Sequence, residues 1–177
     1  RACAGLIDPI AKVTQIATET RLTLYDGMTT DEMDQATINA AVQNIKEDIE
    51  YDKVAVRLML KTVYRRVIGE YHDDAAELSA QYRAHFPEYV KSGIANGLLD
   101  TRMAEKYDLD ELSRALHIER DEIFTYAGLS TLMNRYAMKD RQQKPAETPQ
   151  YFFMRVAMGL AYNESNPTEM AKKFYER

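Results

Sequence analysis

The chain has 177 residues, 45% hydrophobic and 29% charged, which is enough for one medium or two small domains and too apolar for a disordered chain. A formal net charge of −5 argues against a surface for nucleic-acid phosphate, which needs clustered Lys and Arg. One cysteine, Cys3, rules out an internal disulfide or a cysteine-built metal cage.

That cysteine usage points to a reducing, cytoplasmic location. No apolar run reaches the roughly 18 residues of a membrane span, and "RACAGLIDPIAK" lacks the apolar centre of a signal peptide, so no membrane partner is expected. The chain starts without Met and reads as a piece of a longer protein.

Helix signals dominate in chain order. Asp8-Pro9, Thr148-Pro149 and Asn166-Pro167 each pair a capping residue with Pro at the first helical position. The cap oxygen accepts a free backbone N–H there, and Pro lacks the N–H that would otherwise be orphaned. Thr29 and Glu32 have the spacing of a capping box, and Asp108 and Glu111 repeat it.

The first helix is expected over about 9–25, with Ile10, Val13, Ile16, Ala17 and Leu24 as an imperfect apolar stripe. Gly27 turns the chain in "YDGMTT". A second helix follows over about 31–48, with Met33, Thr37, Ala40, Ala41 and Ile45 on one face. The third, over 52–68, carries Val54, Leu58, Val63 and Val67, widened by Val56 and Leu60, the pattern of a helix between two neighbours.

Pro87 predicts a break between helices over 75–85 and 88–96, with Gly97 as a left-handed end. A short helix is predicted over 109–116 and a further helix over 121–136, the latter with Phe124, Leu129, Leu132 and Tyr136 inward. The polar stretch from Tyr136 to Glu147 suits a small two-stranded ribbon. The fold class is therefore all-α: an irregular helical bundle with one short ribbon.

The helix over 150–161 is apolar around most of its circumference and must be covered by neighbours, some of them beyond these residues. Arg155 interrupts it, either as a snorkelling side chain or as the ion-pair partner of a nearby carboxylate. Twelve tyrosines and no Trp suit the rim of a helical core.

No motif carries catalysis on its own. Glu70, His72, Asp73, Asp74 and Glu77 lack the Glu-x-x-His spacing of a helical di-metal site and read as a solvated acidic helix start. His85 and His117 have no zinc-ligand pattern around them, so no metal ligands are assigned. Gly-rich phosphate loops, HExxH and GxSxG do not occur.

"ETPQYFFMRVAMGLA" resembles the helix just before the catalytic barrel of ribonucleotide reductase large subunits. "DEIFTYAGLSTLMNRYAM" is similar to the same family's preceding segment, which leads into a short hairpin. "LYDGMTTDEMD" and "YDKVAVRLMLKTVYRRVIG" resemble the later helices of its N-terminal ATP cone. The blocks agree in order from Leu6 to Arg177.

The resemblance implies that residues 1–70 are the C-terminal helices of an ATP-cone-like domain and 71–177 the helical domain before the barrel. It implies a parent ribonucleoside-diphosphate reductase that makes deoxyribonucleotides for DNA synthesis. The barrel's three working thiols are not among these residues, so this polypeptide alone is expected to be inert and to carry no cofactor. ATP and dATP are expected as allosteric effectors of the parent.

Matched residue by residue, the cone's nucleotide contacts fall on Thr30, Asp34 and Arg65, where the family usually has Lys at the last. Thr30 also reads as a plain helix cap. The family's Lys-Arg-Asp-Gly hairpin does not occur in this sequence, so feeble nucleotide affinity is expected. Implied partners are the barrel on the same or a companion polypeptide, a radical-generating small subunit and a second large subunit. The alternative is a non-enzymatic helical adaptor.

Overall fold

The computed structural model describes residues 2–69 and 74–177. Glu70, His72 and Asp73 of the acidic cluster lie outside the described residues. The helices are α1 (Pro9–Thr23), α2 (Thr30–Asn44), α3 (Glu50–Val67), α4 (Ala75–Ala95), α5 (Arg102–Glu105), α6 (Leu109–Arg114), α7 (Tyr126–Thr131), α8 (Pro149–Ala161) and α9 (Pro167–Glu176). A 3-10 turn covers Ile118–Ile123 and a π turn Leu132–Tyr136. The all-α class is as the sequence implies, and the ribbon shrinks to a single antiparallel bridge between Lys139 and Pro145.

The starts form by the capping chemistry read from the sequence. Asp8, Thr148 and Asn166 each cap a helix with Pro in its first turn. Thr29 and Glu32 make a reciprocal capping box, and Asp108 accepts the N–H of Glu111. Asp74, the described part of the acidic cluster's helix start, accepts the N–H groups of Ala76 and Glu77. At the end of α4, Gly97 has φ 70°, and Leu98 N–H donates to Gly93 at 2.8 Å, which closes the helix with a Schellman turn.

The chain forms two compact units. One takes Arg1–Val63 and Glu122–Thr131; the other takes Tyr64–Asp121 and Leu132–Arg177. In the first, Cys3, Leu6, Ile16, Ala40, Ala41, Tyr51, Val54 and Ala55 form the buried cluster. Small residues at Ala40, Ala41 and Ala55 allow close backbone approach there.

The apolar stripe expected on α1 does not set its rotation. Ile10, Val13 and Leu24 are exposed, and the inward residues are Lys12, Ile16 and Thr20, four apart. Lys12 fixes this. Its ammonium lies 2.6 Å from Asp48, 3.1 Å from Glu50 and 2.8 Å from the Ile7 carbonyl. A buried cation needs these partners, so the helix turns to deliver it to them.

In the second unit, α4 runs unbroken through Pro87, against the break expected there. Pro removes one helix hydrogen bond. Tyr82, Phe86, Tyr89 and Val90 are all buried, and that packing outweighs the local preference. The three aromatic rings pack against Tyr151 of α8, with centroids 4.8 Å away for Tyr82, 5.3 Å for Phe86 and 4.9 Å for Tyr89. Tyrosines thus fill this core rather than its rim. α9 packs along α8, and Tyr107 before α6 donates its hydroxyl proton to the Met158 carbonyl.

The single helix expected over 121–136 is three short pieces. Asp121 turns inward, Thr125 restarts the chain as a cap for α7, and Ala137 N–H reaches Leu132 in a π turn. Leu129 and Leu132 are buried as expected, whereas the extra residue of the π turn leaves Tyr136 exposed and buries Ala137.

Thr148 is fully buried, accepts from Tyr151 N–H and donates to the Tyr82 hydroxyl at 2.5 Å, whereas Thr29 caps in the open. Thr148→Ala should therefore cost about 2 kcal/mol in denaturant unfolding and Thr29→Ala about 1 kcal/mol. Equal losses would contradict the buried role of Thr148.

Candidate functional site

Thr30 and Asp34 sit one turn apart at the start of α2, and Arg65 lies in the last turn of α3. The capping role belongs to Thr29: its Oγ1 accepts from Glu32 N–H, and its own N–H donates to the Glu32 carboxylate at 2.8 Å. Hydrogen bonds from Thr29 and from Tyr25 hold the Glu32 carboxyl below its usual range. Thr30 is exposed beside that cap, and Asp34 and Arg65 are half-buried. Thr30 and Asp34 belong to the first unit and Arg65 to the second.

The first unit also holds an open cavity of about 380 Å³, walled by Val13, Ala17 and Leu24 of α1, Thr37 of α2, and Val54 and Leu58 of α3. Its walls are apolar, and Cys3 lines it with a thiol that burial pushes up, away from the reactive thiolate.

The second unit concentrates its polar chemistry around two buried carboxylates. Glu147, just before α8, accepts a two-pronged pair from Arg155: Nη2 at 2.8 Å and Nε at 2.9 Å. It also accepts the Tyr89 hydroxyl and the Met138 N–H at 2.6 Å. Glu147 is wholly buried and Arg155 about a quarter exposed. Of the two readings of Arg155, the ion pair is the one the fold uses, and it ties the hairpin to α8. Burial and the Glu147 charge push the Tyr89 hydroxyl well above its ordinary range, so it stays a donor.

Asp121 is the second carboxylate, also wholly buried. It accepts from Tyr64 at 2.6 Å, Tyr82 at 3.3 Å and the Gln150 side-chain amide at 2.6 Å. Desolvation raises its carboxyl to about 7, and the three hydrogen bonds oppose that rise. Nothing local marks Asp121 for burial, since "ERDE" is an unbroken run of charged residues. The one available signal was that Asp121 opens the stretch resembling the large-subunit segment.

Among the described residues, no group of three His, Cys, Asp or Glu side chains is placed to hold a metal ion. His117 pairs with Glu119 and Glu176, and half-buried His85 stacks on Tyr151. Among the described residues, no helix is long and apolar enough to cross a membrane.

One face of α8 remains open. Phe153, Val156 and Leu160 follow one another at helical spacing and are 38%, 38% and 66% exposed, while Tyr151, Met154, Ala157 and Met158 on the other side are buried. The all-round apolar character of α8 therefore resolves into one packed face and one exposed apolar face.

Arg155→Met should destabilise the chain by about 3 kcal/mol, because wholly buried Glu147 loses its cation. Adding Glu147→Gln, which removes the charge and keeps an acceptor for Tyr89 and Met138, should recover much of the loss. A double variant no better than the single one would mean that the arginine acts by packing alone.

Residues 122–177, which contain α7, α8 and α9, match the family described as "Ribonucleotide reductase, all-alpha domain". The ribonucleoside-diphosphate reductase subunit alpha of Helicobacter pylori is 37% identical over 163 residues, covering 92% of this chain and 19% of the relative. That of Chlamydia trachomatis is 38% identical over 151 residues, covering 85% and 14%. That of enterobacteria phage T4 is 32% identical over 162 residues, covering 86% and 20%. The chain thus spans at most about a fifth of the length of these curated relatives. Matches that run along nearly all of its helices mean that this chain belongs to the ribonucleotide reductase large-subunit family and corresponds to the N-terminal region of those subunits.

Proposed function

We propose that this chain is the N-terminal helical part of a ribonucleoside-diphosphate reductase, an enzyme that converts ribonucleotides to deoxyribonucleotides for DNA synthesis. The observation that carries the reading is the similarity to reductase subunits along 92% of the chain. In this reading the helices support and regulate the chemistry and do not perform it. One buried cysteine cannot serve both as a radical site and as a two-electron dithiol, so the chain alone turns over nothing. A reductase assay should give no product with this chain and product only when a cysteine-bearing barrel is present. Product from the chain alone would refute the assignment of roles.

The open face of α8 supports a partner of apolar surface, and the proposed partner is that barrel, on the same or a companion polypeptide. A small radical-generating subunit and a second large subunit are the further partners of this reading. With Val156 and Leu160 exposed on α8, the chain should bind a hydrophobic dye and self-associate. Val156→Asp with Leu160→Asp should abolish both, and a dye-silent monomer without those changes would contradict the docking role.

Residues 1–70 are assigned to the later helices of an ATP cone, with Thr30, Asp34 and Arg65 as contacts for ATP or dATP in the parent. Tight phosphate binding needs several charge-assisted donors together, and Arg65 is one. Calorimetric titration of this chain with dATP should show no saturation below about 1 mM. Micromolar binding that Thr30→Ala and Arg65→Ala leave unchanged would place the nucleotide elsewhere.

A further inference from the structure

The Asp121 cluster is wired with a definite polarity. The Tyr175 hydroxyl accepts the His117 N–H at 3.0 Å, so its own proton is free to donate to Gln150 Oε1 at 2.6 Å. That fixes the amide, and Gln150 Nε2 is left facing Asp121 Oδ1 at 2.6 Å. The Tyr82 hydroxyl accepts from Thr148 at 2.5 Å and from Gln150 N–H at 3.2 Å, so its proton goes to Asp121 Oδ2. Tyr64 donates to the same oxygen. Every neighbour presents a donor, an arrangement that suits the carboxylate.

The charges around the group favour the other form. It faces Tyr64 from α3, Tyr82 from α4, Gln150 and Tyr151 from α8, and Tyr175 from α9 by way of Gln150, all of them neutral. On its own turn Glu119 adds a repelling negative charge, and the Arg120 guanidinium is engaged by Glu176 at 2.6 Å. No cation among the described residues pairs with Asp121. A carboxylate so buried and so unpaired is costly, and a proton relieves the cost.

Protonation on Oδ1 needs an acceptor where Gln150 Nε2 now points. Rotating the Gln150 amide by half a turn supplies it: Oε1 then accepts from the acid, and Nε2 donates to the Tyr175 oxygen. We infer that Asp121 and Gln150 form a proton-linked amide switch at the start of α8, donating in one state and accepting in the other, with Tyr175 biasing the carboxylate state.

The raised carboxyl, about 7 against an ordinary 3.8, places the switch near neutral pH. Below 3.8 the group is protonated whether the chain is folded or not. Between 3.8 and about 7 the folded chain holds the proton and the unfolded chain does not. The stability that this proton confers is therefore lost as pH rises through the window and changes no further above it.

Nuclear magnetic resonance of the full 177-residue chain tests this by following the Asp121 carboxyl carbon and the Gln150 side-chain amide from pH 4 to 8. The expected midpoint is near 7, with both signals moving together. Tyr175→Phe removes the donor that holds Oε1 away from Asp121, so the midpoint should rise. In parallel melts, the midpoint of Asp121→Asn minus that of the unsubstituted chain should climb between pH 4 and 7 and then level off. An Asp121 midpoint near 3.8, a Gln150 amide that does not follow it, or a Tyr175→Phe midpoint equal to that of the unsubstituted chain would each overturn the switch. The carbon titration needs no variant, so a misfolded Asp121→Asn leaves the test intact.

Discussion

The second unit is organised by two carboxylates that have left water. Asp121 and Glu147 each need several donors to be tolerated in the core, and together they specify where α3, α4, α8, α9 and the hairpin place their polar groups. Apolar packing alone would let α8 slide or rotate, because its apolar residues go nearly all the way round. Thr148 on Tyr82, Gln150 on Asp121 and Arg155 on Glu147 remove that freedom. Buried polar groups of this kind add little net stability when paired and cost much when one partner is missing, so they select one arrangement among many.

Fixing the rotation of α8 decides which residues it offers outward. Tyr151, Met154 and Met158 go inside, and Phe153, Val156 and Leu160 come out. The link from sequence to the proposed function therefore runs through hydrogen bonds at one end of the helix: they choose the exposed stripe, the surface proposed above to meet a reductive core. In the first unit Lys12 does similar work for α1, turning it so that an ion pair is satisfied although Ile10 and Val13 are left in water.

Much of this was legible in the residues. The cap-and-proline starts, the capping box at Thr29, the Gly97 stop and the all-α class all follow from local rules, and local rules need no knowledge of neighbours. Where the reading failed, tertiary contacts had overridden local preference. Pro87 lies within a helix held by buried aromatics, Lys12 sets a rotation that an apolar stripe could not, and Asp121 is buried within a 3-10 turn that ends before Phe124. Twelve tyrosines looked like a rim because a phenol has a polar end; several are interior because carboxylates, carbonyls and a threonine wait there. The sequence leaves Arg155 two roles, and only its distance from Glu147 decides between them.

The central claim is that the outward stripe of α8 is a docking face for a reductase core. Its most direct test is the thiol-labelling rate of Leu160→Cys, measured in this chain at a dilution that keeps it monomeric and again in a full-length reductase carrying the same segment. Rapid labelling in the short chain and strong protection in the long one is the outcome this account predicts. Equally rapid labelling in both would mean that the stripe faces solvent in the enzyme too, and that the helix serves some other contact.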